Sequence, residues 1–475
     1  MKTFYWYDYE TFGLDPKVQR IAQFAGIRTD ENFNILDEHM FYCKPTHDSL
    51  PEPKAAEVTG ITPQLCEKKG FIEHEFIKKI NNEFSTPETC IVGYNSIHFD
   101  DEHTRYTLFR NFLDPYAWHW KNGNRRWDIL LVARFCFAHK EEESLKWVKN
   151  EKNMPIFRLD TLAPANNIEH SNAHDAMADV RATIGIAAII KKTQPRFFEY
   201  ALSLNEKNEV KKQVQLLHPM LLTAFPREYK ISFTKLVTAI CYHPEYKDRA
   251  IVFNLNQDPA ILIELNSDEL KTFTFSKKSD LPKGIDKPEL SEMAFNKSPM
   301  FVCSPNSDSF KLSPVLIDKF CIDMESCLKN LQYIQNNIRE IEKKIQYIYK
   351  NDSERQPKND VDQSLYDGFI GNKDKALCEK IQSLSVDEIG QFTPNFEDSR
   401  LSKLFLNFKA RNYPQLLNDY EQEEWFEIVQ SRIQNGANGF LSIDSFENSL
   451  NKLKESAPEK ENLWKELEDY ASSFL

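Results

Sequence analysis

The sequence predicts an α/β layer over residues 1–195, a β-rich block with terminal helices over 196–350, and a helical block over 351–475. Three observations lead there. Short apolar strands alternate with helical patterns in the first block, β-favouring segments cluster between 229 and 265, and helical periodicity dominates the remainder.

Phe4–Tyr9 is an apolar, aromatic run suited to a buried strand. Arg20–Thr29 and Ile35–Lys44 read as two further strands joined through the turn formers Thr29-Asp30-Glu31-Asn32. Phe71, Phe76, Ile77, Ile80 and Phe84 have the spacing of one helical face, so a helix is predicted over Phe71–Phe84. Cys90–Tyr94 is a short strand entering a loop at Asn95. Helices are predicted over Asp101–Phe112, Trp127–Ala138 and Ala173–Lys191. These elements make an α/β layer with one three-stranded antiparallel stretch. Thr193-Gln194-Pro195 marks its end. Lys230–Tyr242 and Ala250–Asn254 are strands of a small barrel or sheet, Cys321–Tyr349 is helical, and the polar stretch Asn351–Asp362 is a second linker.

The chain has 475 residues and a net charge of −12, with 41% hydrophobic and 28% charged residues. That composition excludes a membrane-embedded or wholly disordered chain. The N-terminus lacks an apolar signal-peptide core, and the best apolar run, Ile184–Ile190, is far too short to span a bilayer. Nine scattered cysteines without a CxxC are expected to be reduced, mostly buried thiols of a cytoplasmic protein. An acidic chain is a poor candidate for holding a phosphate backbone, but net charge is an average. The three blocks carry −4, +2 and −10, so the acidity sits mainly in the last.

Three segments carry chemistry. Asp8 and Glu10 end the first strand, and alternation turns both carboxylates to one face. Alone, such a pair is ordinary surface charge. Asp100 and Asp101 open a helix after the Cys90–Tyr94 strand, where either serves equally as a helix cap. Asp175 and Asp179 share a helical face, with His174 at the first turn; alone, these read as a dipole-favoured acid and a surface imidazole. Taken together, clustered carboxylates suit hard cations such as Mg²⁺ or Mn²⁺. Two such ions clamp the oxygens of an in-line phosphoryl displacement, and a neutral histidine is a competent general base. Glu10, between the other ligands, is the natural bridging residue. No phosphate-binding glycine loop or nucleophile elbow competes, and Lys78 stands where a zincin helix starting at His74 needs its second histidine.

DYETFG at 8–13, N-x-x-x-F-D at 95–100 and H-x-x-x-x-D at 174–179 resemble the three motifs of the DEDDh exonucleases. Segments from YDYETFG through TGITPQ, FDDE, RNFLDPYAW, FRLD and IEHSNAHDAMADV to LYDGF and NFKARNYP resemble bacterial exonuclease I from about residue 7 to 414. The resemblance implies an α/β ribonuclease H-like exonuclease domain (1–195), an SH3-like β domain with terminal helices (196–350) and a C-terminal helical domain (351–475) around a single-stranded DNA channel. It implies Asp8, Glu10, Asp100 and Asp179 as metal ligands for two Mg²⁺ ions, Mn²⁺ substituting, and His174 as general base. Glu10 and Arg158 would contact the substrate, Arg158 close to the scissile nucleotide. The implied activity is processive 3′→5′ hydrolysis of single-stranded DNA to 5′-mononucleotides in repair and recombination. The implied partner is the acidic tail of single-stranded DNA-binding protein, and the implied state a monomer off the membrane.

Between residues 105 and 127, Arg105, Arg110, Lys121, Arg125 and Arg126 interleave with Tyr106, Phe109, Phe112, Tyr116, Trp118, Trp120 and Trp127. Cations for phosphates and rings for bases are the ingredients of a single-strand track, with Arg105 and Trp120 its leading candidates. A core role for the rings is the competing reading. An exoribonuclease of the same superfamily, or a non-catalytic single-strand binder, remains an alternative function at this point.

Overall fold

Alternation along the first strand sets up the whole of the first sheet. A computed structural model of the chain describes residues 2–141, 144–170, 175–223, 234–282, 284–303, 306–307, 310–350 and 358–474. In it, β1 spans Thr3–Thr11. Tyr5, Tyr7 and Tyr9 point to one face and share a buried cluster with Phe24 and with Phe76, Ile77, Ile80 and Phe84 of helix α1, Glu73–Phe84. The intervening residues point to the opposite face. There the Trp6 indole donates to Thr29 Oγ1 at 2.9 Å and meets Phe33 edge-on. Asp8 and Glu10 continue along that face, so the burial of the tyrosines aims the carboxylates.

β2 (Ile21–Thr29) and β3 (Ile35–Tyr42) run antiparallel beside β1, as expected, while β4 (Thr89–Gly93) lies parallel on its other side. With β5 (Arg125–Asp128) the sheet order is β3-β2-β1-β4-β5. The register of β1 against β2 shifts between Glu10 and Thr11, a bulge that ends the ladder just past the second carboxylate.

The chain divides into two compact units. The first comprises residues 1–126, 167–185 and 355–475, the second 127–166 and 186–354. Within the first unit, helices α2 (Asp100–Arg110), α4 (Ser399–Asn412) and α5 (Asp419–Asn435) join the sheet, and the last unit-one segment of the middle chain begins helix α3, Ala176–Thr193. Tyr106, Phe109 and Phe112 of α2 share a core with Leu365, Leu404, Phe405 and Phe408. The stretch expected as a separate C-terminal domain thus packs with the exonuclease-like stretch in one unit.

A buried ion network stitches this unit. Arg432 donates to Asp48 (2.6 Å), to Asp360 (2.8 and 2.9 Å) and to Asp362 (2.9 Å). Arg411 reaches Asp362 at 2.6 Å and Arg20 reaches Asp48 at 2.8 Å. The three guanidiniums hold the Asp48 and Asp362 carboxyls far below the usual range despite complete burial.

The second unit holds an antiparallel sheet ordered β10-β6-β7-β8-β9, formed by Pro219–Thr223 (β6), Thr234–Tyr242 (β7), Arg249–Asn254 (β8), Leu290–Ala294 (β9) and Met300–Cys303 (β10). The start of the expected Lys230–Tyr242 strand, and most of the expected 351–362 linker, lie outside the described residues. Two expected helices change. Trp127 belongs to β5, and the helix begins at Ile129 because the Asp128 side chain accepts the Leu130 N–H at 2.9 Å. The Cys321–Tyr349 helix is two, Met324–Asn336 and Ile338–Tyr349, broken where Asn337 leaves helical geometry. All nine cysteines are free thiols, six of them buried. Among the described residues no helix is long and apolar enough to cross a membrane.

Candidate metal centre and catalytic site

Three local structures bring the acidic residues together. β1 supplies Asp8 and Glu10. A tight turn supplies Asp100: β4 ends at Gly93, where an added Cβ would stand 2.5 Å from that of Ser96. The chain then reverses through Asn95 at φ +67° and enters α2. At the start of α3, Asp175 Oδ1 accepts the Met177 N–H at 2.9 Å, and one turn on comes Asp179. Asp175 therefore organises the turn that presents Asp179.

One carboxylate oxygen from each of Asp8, Glu10 and Asp179 lies within 4.8 Å of the others. Asp100 is buried beside them, its Oδ1 accepting the Tyr9 N–H at 3.3 Å. Burial, followed by the charges of Asp100, Glu10 and Asp179, raises the Asp8 carboxyl well above the ordinary range. Burial, then Asp179, Asp100 and Asp175, pushes Glu10 up to about 9. Packed carboxyls that resist joint ionisation need added positive charge, and the donor set is oxygen only. The residues present therefore fit hard divalent cations.

The neighbouring acid takes a different role. Asp101 accepts the Tyr7 hydroxyl at 2.7 Å and pairs with the Arg126 guanidinium, all within the interior. Neither Asp100 nor Asp101 caps α2: the cap position is Phe99, and both acids sit in the first turn.

His174 lies outside the described residues. His170, which the motif reading passes over, is buried with its Nε2 against Asp179 Oδ1. The only sequence signal for it was its place in the same IEHSNAHDAMADV segment. Arg158 lies in the second unit, largely exposed, its Nε donating to both Asp160 oxygens at 3.2 Å.

The expected 105–127 track is mostly interior. Tyr106, Phe109, Phe112, Trp118 and Trp127 are core residues. Arg110 pairs with Glu73 at 2.8 Å and Arg126 with Asp101, both buried. Arg105 is also buried and donates to Glu102 Oε1 at 2.6 Å. Acids from elsewhere in the chain pair with Arg110 and Arg126, whereas Arg105 takes an acid one turn earlier on its own helix. Trp120, at 62% exposure, and Lys121 remain on the surface.

Comparison with known proteins adds three family matches: "Exonuclease" over residues 5–187, "Exonuclease I SH3-like domain" over 205–351 and "Exonuclease I C-terminal domain" over 359–474. The chain is 38% identical to exodeoxyribonuclease I of Haemophilus influenzae over 100% of its own length and 99% of the relative's. Its fold superimposes on E. coli exonuclease I in complex with a dA16 oligonucleotide with a TM-score of 0.92, at 36% identity and complete coverage of both chains. The zinc-bound form of the E. coli exonuclease I–single-stranded DNA complex matches with a TM-score of 0.91, at 36% identity over 100% of this chain and 99% of that one.

Proposed function

The chain belongs to the exonuclease I family, and on that premise we propose that Asp8, Glu10, Asp100 and Asp179 form the metal centre of its hydrolytic site. The protein is an exodeoxyribonuclease that degrades single-stranded DNA in the 3′→5′ direction with a divalent metal cofactor. The observation that carries the site assignment is the convergence of Asp8, Glu10 and Asp179 oxygens within 4.8 Å, beside buried Asp100.

In this reading the cofactor is two Mg²⁺ ions, replaceable by Mn²⁺. Bound there, they supply the positive charge that polarises the scissile phosphate and the attacking water. The chain's own groups do the rest. The Tyr9 N–H fixes the Asp100 carboxylate, and Asp175 fixes the turn that carries Asp179. His174 receives the proton of the attacking water, a role imidazole is suited to. Glu10 and Arg158 contact the terminal nucleotide, and Trp120 offers an exposed ring to a base. Arg105 acts indirectly, by holding Glu102 and Tyr366 in place. Family membership also supports processive release of 5′-mononucleotides by a cytoplasmic monomer that meets the acidic tail of single-stranded DNA-binding protein, through domains bounded at 1–195, 196–350 and 351–475.

Digestion of a 5′-labelled single strand, with and without Mg²⁺ and beside matched duplex and RNA, tests the reading. Stepwise shortening of the DNA single strand alone, only with Mg²⁺, is expected. Equal digestion of RNA would make the protein an exoribonuclease, and binding without product would make it a non-catalytic binder. His174→Ala is expected to lower the hydrolysis rate far more than DNA affinity; equal losses in both would remove it as the base.

A further inference from the structure

We propose that His170 is a positioning residue of the metal centre: its imidazole N–H holds the Asp179 carboxylate in the rotation that presents it to a divalent cation beside Asp8 and Glu10. The inference deepens the proposed metal centre and rests on it.

The backbone of Asp179 is fixed by its own helix. Its N–H donates to the Asp175 carbonyl at 3.0 Å, and its carbonyl accepts the Thr183 hydroxyl at 2.9 Å. Neither bond settles how the side chain turns. Asp179 stands against the Asp8 and Glu10 carboxylates, and after burial its charge is the foremost of those that raise Glu10. Like charges so placed push apart, so a carboxylate that stays in the cluster needs a restraint. His170 Nε2 lies within hydrogen-bond reach of Asp179 Oδ1, and because an ionised carboxylate only accepts, the imidazole donates. A carboxylate has about four lone-pair sites, so one N–H on Oδ1 leaves the others for cations.

The donor is itself held. Ile168, two residues earlier, packs against Gly185 of α3, where an added Cβ would stand 3.0 Å from its Cγ2 and Cδ1. A bare backbone at Gly185 thus lets residues 168–170 lie close to the helix that carries Asp179. Ile168, His170, Asp179 and Gly185 belong to one compact unit. The His170 side chain is 2% exposed, so its ring is packed in place.

Two other roles fail on the same geometry. As a metal ligand, His170 would have to bring a nitrogen among the oxygens that lie within 4.8 Å of one another, and it is not in that group. As a general base it would need a path for the proton, yet its Nδ1 is enclosed and has no hydrogen-bond partner among the described residues. An N–H that orients a ligating carboxylate needs neither.

The test measures Mn²⁺ uptake by DNA-free protein, read from the electron paramagnetic resonance of the free ion. His170→Ala is expected to weaken Mn²⁺ binding by about 10- to 100-fold, the usual cost of losing a group that orients a metal ligand. His170→Leu, which fills the space without a donor, should be as weak, so the comparison stands even where the smaller side chain unsettles the fold. His170→Gln, whose amide restores an N–H near Nε2, should bind Mn²⁺ as wild type. Its pH–rate profile should keep the wild-type shape, because no proton passes through residue 170. Wild-type Mn²⁺ affinity in the Ala and Leu variants, or His170→Gln as weak as either, would overturn the proposal. Loss of one limb of the pH–rate profile in His170→Gln would overturn it too, by making His170 the base. Undiminished Mn²⁺ uptake by Asp179→Asn would instead overturn the metal-centre reading on which the role of His170 rests.

Discussion

Glu10 shows most directly what the site asks for. Its carboxyl stands at about 9 rather than 4.5 because it is buried among Asp179, Asp100 and Asp175. Between those two pH values the folded, metal-free protein keeps a proton that the unfolded chain has released. This contribution favours folding below about pH 4.5 and is lost as pH rises towards about 9. Divalent cations displace the proton, so metal binding strengthens over the same window. Melting curves should show the Tm of metal-free protein falling across it, and Mg²⁺ raising Tm more at about pH 9 than at about pH 5. A Mg²⁺ increment independent of pH would contradict this. Asp8 and Glu10 were legible in sequence because strand alternation dictates facing from spacing alone. The pairings of the arginines at 110 and 126 were not: a cation among aromatic residues reads the same whether solvent or a distant acid neutralises it. Glu73, the partner of Arg110, lies 37 residues away in the chain. His170 was illegible for a related reason, since its contact with Asp179 joins residues nine apart in the chain, a spacing that no helical face pairs.

At the scale of elements, the strands and α1 were readable because apolar spacing follows burial. Boundaries moved where a single polar group decided them, as Asp128 does by capping the helix that starts at Ile129. The β4–α2 turn is the element on which the site most depends. A methyl group at Gly93 would sit 2.5 Å from the Ser96 Cβ and 3.2 Å from the Tyr7 carbonyl oxygen, which pins both β1 and the approach to Asp100. Gly93→Ala is therefore expected to destabilise the protein by about 1–3 kcal/mol, the usual cost of overpacking, and to lower the hydrolysis rate by displacing Asp100. Urea unfolding together with turnover at saturating DNA would measure both. Wild-type values for the pair would show that the turn carries no strain and does not set the ligand.

For the whole molecule, the −12 net charge describes neither the site nor the interior. Inside the first unit, Arg20, Arg411 and Arg432 face Asp48, Asp360 and Asp362, groups drawn from opposite ends of the chain. Removing one member strands its partners without water. Arg432→Met should cost about 3–5 kcal/mol in urea unfolding, and residues 1–195 expressed alone, lacking Asp360, Asp362, Arg411 and Arg432, should fail to fold cooperatively. A folded 1–195 fragment would show the network to be dispensable. None of these partnerships was visible in sequence, since the ion pairs span up to 384 positions. In the proposed reading this scaffold assembles a carboxylate cluster that would hold the metal for phosphodiester hydrolysis, and Asp179→Asn tests that claim most directly. With hydrolysis of a 5′-labelled single strand followed in Mg²⁺ and binding of the same strand followed in EDTA, the variant should bind as wild type and release no product. Turnover retained at the wild-type rate would remove Asp179, and the cluster built around it, from the chemistry.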